Sequence, residues 1–120
     1  MKYENFETLR KNSDFRKVYS RKKSFVNKFL VMYILENGTD TIRLGVSVSK
    51  KVGNSIVRHR LARLIREAFR LNSSDVKKGL DIVVVARAGL KDKGYKETES
   101  AMIHLLNMHK VIINKDSDND

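Results

Sequence analysis

A chain of 120 residues with 25 Lys+Arg against 14 Asp+Glu, a formal charge of +11, no cysteine and no proline can bury roughly two thirds of the surface it exposes when unfolded, enough for one hydrophobic core without staples. Without cysteine there is no disulfide, no thiolate-ligated zinc or iron–sulfur centre and no thiol nucleophile. The longest apolar run, residues 29–35, is seven residues against the ~18 that a bilayer-spanning helix needs, and residues 1–7 hold acids where a secretory signal is apolar, so a cytoplasmic protein with no membrane partner is expected.

Asn12, Ser13 and Asp14 form a polar cluster suited to capping, and Phe15, Val18 and Tyr19 follow at i, i+3, i+4; together they predict a short helix over about 13–20. Residues 25–35 are β-branched and aromatic and read as a strand, buried on both faces where continuously apolar. The Asn37–Gly38 pair in the turn 36–40 predicts a hairpin to the next strand. In that strand Ile42, Leu44, Val46 and Val48 point one way, and Thr41, Arg43, Gly45, Ser47 and Ser49 the other.

Gly53 then frees the backbone, and Asn54 or Ser55 is available to cap a long helix. Val57, Leu61, Leu64, Ile65 and Ala68 fall within about 100° of arc on its wheel, an apolar stripe. His59, Arg63, Arg66 and Arg70 lie opposite, with Arg58 and Arg60 on the flanks. Residues 71–79 are a polar connection, 81–87 a strand and 89–94 a charged loop. A closing helix fits 95–109, with Ala101, Met102, Leu105 and Met108 at helical spacing; 111–113 extends or caps it, and 115–120 is an acidic, disordered tail. With no internal repeat or linker, the order helix, two or three strands, helix, strand, helix predicts one α+β domain over 1–114, a sandwich with one layer of helices on a small sheet.

The positive charge is concentrated. Residues 2–28 hold nine Lys+Arg and three acids, residues 43–70 eight and one, and residues 71–120 eight of each. An excess confined to two segments implies a polyanionic partner such as nucleic acid. The stretch from Lys50 through Arg70 has the elements of a phosphate-binding helix. Two lysines precede free amides near Gly53, where the helix dipole favours an anion, and arginines follow whose planar forks grip two phosphate oxygens each. Phe15 and Tyr19, four apart on the first helix, and Tyr33 on the first strand offer faces for unpaired bases, with Ser47 as a minor contact.

Catalytic constellations are poor. His104 and His109 are about 140° apart on a helix, wrong for a zinc pair, His59 has no acid and nucleophile at a recognisable spacing, and the acids do not cluster as a metal nuclease requires. No catalytic residue, protein-held metal or small-molecule substrate is expected. Binding to anionic lipid is disfavoured because the apolar stripe of the basic helix is needed for the core.

Ser47–Val48–Ser49–Lys50–Lys51–Val52–Gly53–Asn54–Ser55, followed by Arg58–His59–Arg60–Leu61–Ala62–Arg63–Leu64–Ile65–Arg66, resembles the conserved basic helix of the protein component of bacterial ribonuclease P. The segments 14–19 and 81–87 fit the same family, and the likeness runs from about Asn12 to Leu106. It implies an αβββαβα sandwich with a left-handed crossover, and an RNA-binding domain that is the non-catalytic subunit of an endoribonuclease removing 5′ leaders from precursor tRNA. The family's RNA subunit is the catalyst, with divalent metal (Mg2+). By the same resemblance Lys50, Lys51, Asn54, Arg58, Arg60, Arg63 and Arg66 contact the catalytic RNA or position metal-bound phosphate, His59 and Arg70 join them in binding that RNA, Phe15, Tyr19, Tyr33 and Ser47 line the cleft for the leader of the precursor tRNA, and the protein is a monomer in the holoenzyme. Two departures stand out: His59 replaces the asparagine between two arginines, and Ala62 replaces a frequent basic residue. The alternative is a general RNA-binding module of ribosomal-protein type.

Overall fold

The computed structural model describes residues 6–21 and 23–113; the expected tail 115–120 lies outside them. The elements are β1 (Phe6–Thr8), α1 (Asn12–Ser20), β2 (Ser24–Val26), β3 (Leu30–Glu36), β4 (Ile42–Ser47), α2 (Ser55–Asn72), β5 (Leu80–Ala86) and α3 (Tyr95–Met108). After β1, the order is the expected αβββαβα.

The five strands form one mixed sheet in the order β1-β4-β5-β3-β2. β5 has the most continuously buried sequence, and it takes the centre, antiparallel to β3 from Leu30↔Ala86 to Glu36↔Leu80 and parallel to β4 from Arg43↔Asp81 to Ser47↔Val85. The expected hairpin between β3 and β4 is therefore overturned: β5 lies between them. Asn37 and Gly38 still reverse the chain, Gly38 at φ 74°, but the Asn37 amide donates to Thr41 O at 3.0 Å and to Asp81 Oδ1 at 2.9 Å, which ties the turn to β5. The hairpin that does form joins β2 and β3, because Asn27 Oδ1 accepts from the backbone N–H groups of Phe29 and Leu30 at 3.1 and 3.0 Å and breaks the expected 25–35 strand in two. β1, not anticipated, adds a parallel edge strand on β4.

The expected single layer of helices is also corrected: helices cover both faces. Leu30, Met32, Ile34, Ile82 and Val84 face α2 and α3 in the main core, which includes Leu61, Ile65, Phe69, Met102 and Leu105. The alternate residues Tyr33, Leu35, Val83 and Val85 face α1 in a smaller cluster around Val18 and Leu9. The pleat requires this split, since successive strand residues point to opposite sides. Phe69 is fully buried and meets Phe6 edge to face at 5.0 Å; truncating such a side chain costs about 3–5 kcal/mol.

α2 starts where expected, with Asn54 Oδ1 accepting from Val57 N at 3.0 Å, and buries Leu61, Ile65, Ala68 and Phe69, while Leu64 is half-buried. It is the crossover between the adjacent parallel strands β4 and β5. The Asn12–Asp14 cluster does not cap α1: Lys11 occupies the cap without a side-chain hydrogen bond, and Asp14 Oδ2 is 3.5 Å from Arg43 Nη1. Beyond α3 the chain caps the helix as expected and then leaves it: with Lys110 at φ 60°, Lys110 N donates to Asn107 O at 2.9 Å and Val111 N to Leu106 O at 3.2 Å, after which Ile112 bridges to Val76 and Ile113 N donates to Asp75 O at 2.7 Å. Among the described residues no helix is long and apolar enough to cross a membrane.

Candidate nucleic-acid interface

On the α1 side, Phe15, Arg16, Tyr19, Val46 and Ser47, with Asn12, line a groove of about 370 Å³. Phe15 and Tyr19 are one helical turn apart, with ring centroids at 6.3 Å. Gly45 explains how Phe15 comes so near the sheet: a Cβ on that residue would sit 2.6 Å from Phe15 Cζ. Tyr33 does not line the groove. It stands behind Tyr19, edge to face at 4.8 Å, and fixes that ring. Burial raises the Tyr19 phenol above its ordinary pKa, partly offset by the Ser47 hydroxyl, so it is a neutral hydrogen-bonding group at physiological pH. Arg16 was not singled out from sequence; its signal was its place beside Phe15 in the basic first segment.

A second groove of about 290 Å³ is lined by Val46, Val48, Ser55, Arg58, His59, Ala62 and Arg66. Val46 lines both grooves, which therefore adjoin at β4. Arg58 Nε is enclosed there with no hydrogen-bond partner among the described residues. Ala62 sits in the wall among Arg58, His59 and Arg66. Lys50, Lys51, Asn54, His59, Arg60, Arg63 and Arg66 are exposed, the lysines on a turn closed by Val52 N donating to Ser49 O at 3.0 Å.

The arginines are not equivalent. Arg70 donates to both carboxylate oxygens of Glu67 at 3.1 and 2.7 Å, which holds the Glu67 carboxyl below the usual carboxylate range. Arg60 donates to the carbonyls of Lys93 and Lys91 at 3.1 and 2.5 Å. Arg63 and Arg66 are exposed and make no hydrogen bond or ion pair among the described residues. No group of three or more His, Asp or Glu among the described residues is placed to hold a metal ion.

A five-stranded mixed sheet between helices, with an aromatic groove beside an arginine-rich helix face, defines a small α+β protein built to receive a polyanion. Known proteins make that class specific. Residues 3–110 match the family model Ribonuclease P. The ribonuclease P protein component of Lachnoclostridium phytofermentans is 55% identical over 112 residues, 93% of this chain and 97% of that one. The solved structure of the Staphylococcus aureus RNase P protein superposes with a TM-score of 0.81 at 37% identity, covering 88% of this chain and 96% of that one. The RNase P protein from Thermotoga maritima gives 0.78 at 34%, covering 85% and 96%. The chain belongs to the ribonuclease P protein component family, and with that membership come a tRNA-processing role as part of an endoribonuclease and an RNA partner in the holoenzyme. The ribosomal-type module is not favoured.

Proposed function

We propose that this chain is the non-catalytic subunit of a holoenzyme in which the RNA cleaves the precursor, and that it binds two RNA segments at once. Lys50, Lys51, Asn54, Arg58, His59, Arg63 and Arg66 hold phosphates of the catalytic RNA. Phe15 and Tyr19, steadied by Tyr33 and assisted by Ser47 and Arg16, stack the single-stranded 5′ leader of precursor tRNA. The observation that carries this reading is that Val46 lines both the aromatic groove and the arginine-lined groove, so the two adjoin at β4.

The chemistry of each part follows from its groups. An enclosed guanidinium N–H without an acceptor is costly, by about 1–3 kcal/mol, and a swing of the Arg58 side chain toward a phosphate oxygen removes that cost. Unpaired arginines release counterions on meeting phosphate, and unpaired bases stack on aromatic faces independently of sequence, which suits a subunit serving many precursors. Arg60 and Arg70 support the face from behind through their existing partners, which supports a positioning role for both. The carboxylates among the described residues do not form a metal-ion cluster, and in this reading Mg2+ is held by the RNA and no step is assigned to the protein's acids. One copy of the protein per holoenzyme suffices, because both grooves lie on one chain.

The test is single-turnover cleavage of precursor tRNA by the cognate catalytic RNA at low magnesium, with and without the protein, on long-leader and leaderless substrates. The expected result is protein-dependent cleavage with tighter binding only when a leader is present. Stimulation without leader discrimination would remove Phe15, Tyr19 and Ser47 from the leader site, and RNA binding with no stimulation would overturn the holoenzyme role.

A further inference from the structure

On the opposite layer from the α1 groove, a cavity of about 440 Å³ opens between the β2–β3 turn and α3. Phe29 and Ala101 give it an apolar floor, and Lys28, Lys96 and His104 stand on its rim. The ammonium groups of Lys28 and Lys93 lie 5.8 and 5.9 Å from the centroid of the Phe29 ring. One rim carboxylate, Glu97, accepts from Gly94 N at 3.1 Å and keeps its charge, and Lys28 and Lys96 outnumber it, so the rim is net positive.

The tautomer of His104 is fixed by its neighbour. Asn27 Oδ1 accepts from two backbone N–H groups, of Phe29 and Leu30, which identifies the other amide atom as the NH2 group. That group donates to Ala101 O at 3.1 Å and faces His104 Nδ1 at 3.0 Å. Nδ1 must therefore accept, and the ring hydrogen is on Nε2 of an exposed side chain. The cavity thus offers an aromatic ring, a fixed N–H donor and the ammonium groups of Lys28 and Lys96, with Lys93 close by at the Phe29 ring.

It is also joined to the basic helix. The loop that brings Lys93 over Phe29 is the one whose carbonyls, of Lys91 and Lys93, accept from Arg60, so the cationic face of α2 continues across that loop to the cavity. We propose that this cavity is a further contact for the catalytic RNA: an unpaired nucleotide stacks its base on Phe29, His104 Nε2–H donates to an acceptor on that base or its phosphate, and Lys28, Lys93 and Lys96 neutralise the flanking phosphates. The proposal rests on the RNA-subunit reading above. Its occupant is the catalytic RNA and not the leader because the site continues the α2 face and lies across the sheet from Phe15 and Tyr19.

The test titrates the full-length protein against the transcribed catalytic RNA over a range of salt concentrations, using Phe29→Leu, the double variant Lys93→Gln/Lys96→Gln, His104→Ala and, as a reference, Arg63→Gln. Phe29→Leu keeps an apolar side chain in the core while removing the ring. It is expected to weaken RNA binding about fivefold or more, on the scale of one lost base stack, with the salt slope unchanged. The lysine pair is expected to lower the slope by about two, and none of the three groove variants to change the dependence on leader length. Folded groove variants with wild-type affinity beside a weakened Arg63→Gln would overturn this proposal and leave the basic-helix reading in place; an unaffected Arg63→Gln as well would overturn that reading. Loss confined to leader-bearing precursor would put the site on the leader's path and overturn the assignment to catalytic RNA. Should Phe29→Leu fail to fold, the exposed Lys93, Lys96 and His104 carry the same test, and wild-type affinity in all of them overturns it.

Discussion

Arg43 and Asp81 face each other across the parallel strands β4 and β5, Nε to Oδ1 at 2.8 Å and Nη2 to Oδ2 at 2.6 Å, with the aspartate side chain only 3% exposed. Asn37 donates to the same carboxylate at 2.9 Å, and Asp14 lies on the far side of the guanidinium at 3.5 Å. One buried carboxylate therefore ties together β4, β5 and the β3–β4 turn, and reaches α1 through Arg43.

Replacing Asp81 with Asn removes the ionised partner of a bidentate pair and leaves Arg43 and Asn37 competing for a neutral amide. Hydrogen bonds to charged groups contribute about 1.5–3 kcal/mol each in net terms, and Arg43 is partly solvated, so an overall loss of about 2–3 kcal/mol is expected. Urea unfolding would read it as a lower midpoint at unchanged slope. A midpoint within error of the parent would mean that the pair only specifies the strand arrangement.

That pair marks the limit of what was legible in the sequence. α2 was legible because cap, apolar stripe and cationic face all repeat with one period, and Asn54, Leu61, Ile65 and Arg66 sit as that period requires. The place of β5 was not legible, because alternation and apolar runs report burial and not neighbours. Asn37–Gly38 gives the same turn signal whether β4 returns beside β3 or one strand further on. β1 is three residues long, too short for any period. In the candidate site the four-residue spacing of Phe15 and Tyr19 was legible, but Tyr33 as support and Gly45 as the gap for Phe15 depend on which residues meet across strands, and Arg60 reads as one more exposed cation until the loop it holds is in view.

Gly45→Ala places a methyl group within 2.6 Å of Phe15 Cζ at the present ring position. The ring must move, at the cost of overpacking by about 1–3 kcal/mol, and it moves into the groove beside Tyr19. Affinity for leader-bearing precursor is expected to fall several-fold, while affinity for the catalytic RNA alone is unchanged. Parallel titrations of the two RNAs check this, and equal losses on both would place Gly45 in general stability and not in the leader groove.

Arg60 and Arg63 are adjacent on the basic helix, yet they should separate experimentally. Arg60→Gln gives up the bonds to Lys91 and Lys93 and is expected to lower the melting temperature by about 3–6 °C, the scale of one lost charge-assisted interaction in a domain of this size. Arg63→Gln should leave melting unchanged and reduce the slope of log affinity against log salt by about one. Calorimetry with salt-dependent RNA binding measures both, and a reversed pattern would make Arg60 the phosphate ligand.

His109 gives the fold a pH dependence whose sign follows from its surroundings. Nε2 lies 2.9 Å from Met32 O, Nδ1 is enclosed with no partner among the described residues, and Phe25 packs on the ring edge to face at 4.8 Å. Burial is the main cause that lowers its pKa below the ordinary 6.5; the bond to Met32 opposes it, and Lys23 adds repulsion. A base whose folded pKa is depressed binds fewer protons folded than unfolded, so stability is fully present above the unfolded value and declines as pH falls from there to the folded value. Glu67 and Glu97, held below 4.5 by Arg70 and by backbone amides respectively, lose their contribution only at lower pH and leave this window clear. Urea midpoints are expected to drop between about pH 7.5 and about pH 5.5, and His109→Gln, which retains a donor for Met32 O, to flatten that drop. An undiminished pH dependence in the variant would assign the effect to another group, because no other described side chain couples an enclosed imidazole nitrogen to the β2 edge of the sheet.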